Sequence, residues 1–189
     1  MSCGDVSRHY FYLHKAVSVR VSDGGKRADC LSQFNGKTVY GTVRIVEHPH
    51  AVYRWSFCEI VRVGWMYIGI DSSESEHIAV DYTECDNKHP FYSWGPLNKY
   101  SHRGSEYSQC GTVDWNELDE LVMALDTKKK TLTFYADHQS DGNHGIVAFT
   151  EIDFDGNTVY RLAILVGAEN ETITLKHFEK KQYDSAFQS

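Results

Sequence analysis

Residues 121–134 alternate between apolar and other side chains with a period of two, and this pattern constrains the fold more than any other feature of the chain. Leu121, Met123 and Leu125 fall on one side of an extended strand, Asp126 to Lys130 supply a turn, and Leu132 and Phe134 return on the same side. A repeat of two is that of a pleated strand, whereas an amphipathic helix repeats every 3.6 residues. The pattern recurs elsewhere. Val17, Val19 and Val21 alternate up to the turn Ser22-Asp23-Gly24-Gly25. Residues 38–47 and 51–63 form two runs split by His48-Pro49-His50, read as a loop because proline cannot donate to a sheet ladder. Further runs lie at 65–70, 77–82, 158–166 and 172–178, and long amphipathic helices are missing. Ten or so short strands at this spacing predict an all-β fold, an antiparallel sandwich or barrel. Aromatic residues at 13% agree, since flat and branched side chains suit a pleated surface.

Charge and length narrow the function classes. The 189 residues carry 19 Lys+Arg against 26 Asp+Glu, a net charge of −7, so nucleic acid is not the expected partner. The one basic run, Lys128-Lys129-Lys130, reads as the solvated tip of the hairpin. No membrane association is expected: the longest apolar stretch, 162–168, is far short of a bilayer span. Residues 1–14 lack the apolar core of a secretory signal. Cys3, Cys30, Cys58, Cys85 and Cys110 form no C-x-x-C pair, which fits reduced thiols and a cytoplasmic location.

Three strings invite a chemical reading. Glu151-Ile152-Asp153-Phe154-Asp155 alternates three carboxylates, and a glycosidase needs a carboxyl pair. It resembles the E-I-D-x-x-E core of laminarinase-type β-glucanases, with Asp155 in place of the Glu acid, but Asp155-Gly156-Asn157 is a turn signal that takes the string out of a strand. Residues 137–142 imitate the start of a calcium loop, yet the twelfth position, which needs a bidentate Glu, is Ala148. His48 with His50, and His138 with His144, lack a third ligand at metal-site spacing. No cofactor or metal is expected.

The hairpin Leu121-Val122-Met123-Ala124-Leu125-Asp126, four turn residues and Thr131-Leu132-Thr133-Phe134-Tyr135 resembles the hallmark of SPRY domains, an apolar strand ending in Asp and a return strand ending T-L-S-F-Y. The order of the flanking features is similar too: Trp55 and Ile68-Gly69-Ile70 before it, Ser93-Trp94-Gly95, then Gly145-Ile146-Val147-Ala148-Phe149 and residues 160–165 after it. The resemblance covers residues 55–178. It implies an antiparallel, concanavalin-like jelly-roll sandwich whose function is non-catalytic recognition of a short peptide or loop of another protein through variable loops at one end. It further implies an adaptor or substrate-recognition role, as in a ubiquitin ligase whose other parts lie on a separate protein or a longer parent chain.

On this reading residues 1–50 add strands to the sandwich, 51–179 form the SPRY-like domain and 180–189 are a frayed polar tail. The loops around 48–50, 71–76 and 92–100 are expected to form the binding face. Tyr92, Trp94 and Tyr100 are the expected anchors, because Trp and Tyr dominate interface hot spots, with Ser93, Asn98, His48 and His50 beside them. The long aromatic stretch 87–111 reads as a loop region. An acidic chain favours a basic epitope on the partner. The alternatives in other classes are a glycoside hydrolase using Glu151, Asp153 and Asp155, and a glycan-binding lectin.

Overall fold

Period-two patterning becomes strand along most of the chain in the computed structural model, which describes residues 9–12, 19–31, 37–61, 66–72, 91–94, 99–102, 105–108, 120–136 and 146–183. In chain order the strands are β1 (Phe11–Tyr12), β2 (Val19–Ser22), β3 (Arg27–Cys30), β4 (Lys37–Gly41), β5 (Ala51–Val61), β6 (Tyr67–Asp71) and β7 (Phe91–Trp94). They continue with β8 (Lys99–His102), β9 (Ser105–Ser108), β10 (Glu120–Asp126), β11 (Thr131–Ala136), β12 (Ile146–Phe149), β13 (Arg161–Val166) and β14 (Thr172–Gln182). These pair into two seven-stranded antiparallel sheets, in the orders β1-β4-β13-β6-β7-β8-β9 and β12-β11-β10-β5-β14-β3-β2. The chain is an all-β sandwich, as the sequence predicts. Its first four strands are split between the sheets, β1 and β4 in the first and β2 and β3 in the second.

The hairpin shows how alternation turns into a core. Leu121, Met123, Leu125 and Leu132 are fully buried and Phe134 nearly so, and the register sets Leu125 opposite Leu132 and Met123 opposite Phe134. On the other side, β5 sets Tyr53, Trp55 and Phe57 beside Leu125, Met123 and Leu121. Burying a side chain of this size contributes about 1.5–3 kcal/mol, so these residues hold the sheet rather than a ligand. Asp126 opens the turn as expected, its Oδ1 accepting the N–H groups of Lys128 and Lys129, each at 3.0 Å.

The stretch 87–111 departs from its sequence reading, since it carries β7, β8 and β9 rather than one long loop. For β7 the reason is that the first sheet is covered on both faces there. Val39, Ile68, Ile70, Tyr92, Leu162 and Ile164 belong to the core between the sheets. The cross-strand row Tyr40–Ala163–Gly69–Ser93 lies on the opposite face, yet Tyr40, Ala163 and Ser93 are buried as well. A strand buried on both faces has no polar side to alternate with. The end of the chain also differs from expectation: β14 runs on through Gln182, so residues 180–182 are strand. The predicted run at 77–82 lies outside the described residues.

Strand direction fixes which connections share an end. Ala51 pairs with Gln182, and Val52 with Asp126. The 42–50 connection, the 127–130 turn and Tyr183 therefore meet at one end of the second sheet. Ile45 bridges to Tyr160, exchanging N–H···O bonds of 2.8 and 2.9 Å, which brings the start of β13 to the same end. In the first sheet Arg161, Asp71 and Phe91 follow in register at that end.

Candidate functional site

The connections at the His50 end are held in place by a few buried polar groups. Thr127 is fully buried, and its Oγ1 accepts the Ala51 N–H at 3.0 Å while lying 3.2 Å from the carbonyl oxygens of Glu47 and Ala51. One hydroxyl thus ties the 127–130 turn to the loop that carries His48 and His50. Lys130 Nζ lies 2.9 Å from Glu47 Oε1, and this hydrogen bond holds the Glu47 carboxyl below its usual range. The rings of His48 and His50 are 4.3 Å apart between centroids. His50 offers its carbonyl to the Tyr183 N–H at 3.1 Å, and the Tyr183 hydroxyl donates to Asp126. Partial burial, and then that bond to Asp126, push the Tyr183 phenol up to about 12.

A second connection, 150–159, closes against the same turn. The Ile152 N–H donates to the Lys130 carbonyl at 3.0 Å, and the Asp153 N–H to the Tyr92 hydroxyl at 3.2 Å. Ile152 and Phe154 are buried while Glu151, Asp153 and Asp155 are exposed, so the alternation seen in the sequence is real although the segment is not a strand. Between the turn and this connection lies an open depression of about 580 Å³, lined by Tyr92, Lys128, Lys129, Lys130, Glu151, Ile152 and Asp153. Its walls are charged and its floor is Tyr92 and Ile152.

The expected binding residues separate in space. His48 is exposed and His50 half-buried, both on the rim just described. Tyr92 and Ser93 are not surface residues: they are 3% and 0% exposed, and a side chain without accessible area cannot anchor a partner. Tyr92 packs edge-on against Phe149 and Tyr160 in the core, and Ser93 stands opposite Gly69 on the other covered face. Trp94 and Tyr100 pair with each other and sit in register toward the opposite end of the sandwich, with Trp94 opposite Ile68. They do not share a rim with His48 and His50. Asn98 lies outside the described residues.

Of the three carboxylates in the glycosidase string, Glu151 and Asp153 line the depression and Asp155 does not. Asp155 Oδ1 accepts the N–H groups of Asn157 and Thr158 and the Thr158 hydroxyl, and these bonds hold its carboxyl below the usual range. A general acid needs the reverse, a raised pKa that keeps the proton available. The turn signal in the sequence accounts for Asp155. The residues that the sequence reading passed over are Lys128 and Lys129. Their spacing after Asp126 revealed a hairpin tip, and only the packing of 150–153 against it creates the depression.

No family model matches the sequence, and no curated protein matches it. Solved structures do match. The SPRY domain of human HERC1 superposes with a TM-score of 0.56 at 14% identity, covering 90% of this chain and 95% of that one. The TRIM65 PSpry domain gives a TM-score of 0.62 at 14% identity, covering 89% and 92%. Stonustoxin gives 0.57 at 18% identity over 88% of this chain, which spans 26% of the toxin chain. The fold is the one that the hairpin resemblance implied, that of SPRY domains. Among the described residues no helix is long and apolar enough to cross a membrane, and no group of three or more His, Cys, Asp or Glu could hold a metal ion.

Proposed function

We propose that this chain is a non-catalytic protein-interaction module of SPRY type that captures a short peptide or loop of a partner protein on its His50-end rim. In that role it is an adaptor or substrate-recognition domain acting in the cytoplasm. The observation that carries this reading is the depression between the 127–130 turn and the 150–153 connection, flanked by the 47–50 loop. It is open, and its borders are loops on a rigid sandwich. Binding residues concentrate on connections positioned by a scaffold in this way. We assign His48 and His50 to this rim. Trp94 and Tyr100, at the other end, take no part in this surface.

The test is affinity capture from a native lysate with the wild-type chain and a His48→Ala/His50→Ala variant side by side, followed by direct binding of the captured protein to both. The reading expects a protein retained by the wild type and lost by the variant, with Tm changed by no more than about 4 °C. Equal retention by both, or binding of glycans with no protein retained, contradicts it.

A further inference from the structure

The two walls of the depression carry opposite charge. On one wall Glu151 and Asp153 are exposed and flank buried Ile152. Both residues line the depression. Glu151 makes no ion pair or hydrogen bond with any described residue, and its φ is 59°.

The facing wall is the hairpin tip, where the three lysines are not equivalent. Lys130 is neutralised by Glu47 at 2.9 Å. Lys128 rests its ammonium 5.1 Å over the Tyr183 ring. Lys129 has a side chain that is 73% exposed and lies 3.9 Å from Asp126 Oδ2, which already accepts the Tyr183 hydroxyl. Lys129 therefore keeps most of its charge for something else. No ion pair joins Lys128 or Lys129 to Glu151, so the depression separates the two signs instead of cancelling them.

From this separation we infer that the depression takes an extended peptide segment in which a basic side chain lies close to an acidic one, the basic group set against Glu151 and the acidic group against Lys129. The inference rests on the interaction reading above and names the chemistry of its partner. The volume of about 580 Å³ suits a short run of side chains, within the range of ligand sites generally. Both charged groups are exposed, so each pairing is modest in strength, and a mismatched sign is penalised there. The neutral floor of Tyr92 and Ile152 leaves discrimination to the two walls.

The experiment pans the full chain against a phage-displayed library of random dodecapeptides. The enriched peptides are then measured by fluorescence polarisation on the wild type, Glu151→Lys, Lys129→Glu and His48→Ala/His50→Ala. Both charged positions are exposed, so the variants should melt with the wild type. The expected result is peptides with Arg or Lys within a few positions of Asp or Glu, each reversal weakening binding about tenfold. Exchanging the peptide's own basic residue for Glu should restore affinity for Glu151→Lys. Peptides that bind both charge reversals as well as the wild type, but lose affinity for the histidine variant, would overturn the charge assignment and leave the interaction reading standing. A library that yields no binding peptide would overturn both.

Discussion

The indole N–H of Trp55 donates to Nε2 of His9 at 3.3 Å, linking the core of β5 to the segment that leads into β1. His9 is 4% exposed and stacks on Phe178 at 4.5 Å between centroids, and its Nδ1 is buried with no partner among the described residues. Gly41 leaves the space for this ring: a Cβ there would lie 2.6 Å from it. A neutral imidazole fits such a site, whereas an imidazolium does not. Burial lowers the His9 pKa from 6.5 to about 4.

A pH dependence follows from that shift. The folded pKa lies below the unfolded one, so between them the unfolded chain binds more protons. The contribution of His9 to stability is whole above pH 6.5 and falls away as the pH drops toward 4. At its largest the loss is about 3 kcal/mol. Urea unfolding at pH 7 and pH 4.5 should show the decline, and His9→Gln, which still offers an acceptor to Trp55, should flatten it.

Gly69 is needed for the pairing of β6 with β7. A Cβ at this position would lie 1.8 Å from the Tyr92 carbonyl oxygen and 2.6 Å from the Ser93 Cα, both backbone atoms that cannot yield without breaking the ladder. Gly69→Ala should cost more than about 3 kcal/mol in chemical denaturation.

Tyr92 has the role of a core residue, and substitution distinguishes this from an anchor. Tyr92→Ala should destabilise the fold by about 3–5 kcal/mol. Tyr92→Phe keeps the ring against Phe149 and Tyr160 and removes the hydroxyl that accepts the Asp153 N–H. Its expected cost is about 1 kcal/mol, read from urea midpoints.

Thr127 is the link between the hairpin turn and the histidine loop. Thr127→Val keeps the shape and leaves the Ala51 N–H without its side-chain acceptor. The expected cost is about 1–3 kcal/mol, together with faster amide exchange at Ala51 than at Leu125.

How far the sequence could be read depended on where its information is local. The 121–134 hairpin is specified by neighbours in the chain, and its core residues and its Asp126 turn are where the pattern put them. Strand β7 hides its pattern, because Tyr92 enters the core while Ser93 enters the covered opposite face, and neither side stays polar. The rim escaped for a different reason. Lys129 and Glu151 are brought to one depression by the packing of two connections, and no spacing in the chain records that. Trp94 and His48 look alike as loop residues in sequence, yet strand direction sends them to opposite ends.

Hydrogen–deuterium exchange on the full chain, with and without its captured partner, tests the central claim most directly. The account predicts slowed exchange confined to 47–50, 127–130 and 150–155, with the β7–β8 end unchanged. Protection at Trp94 and Tyr100 with the His50 rim unchanged would contradict it.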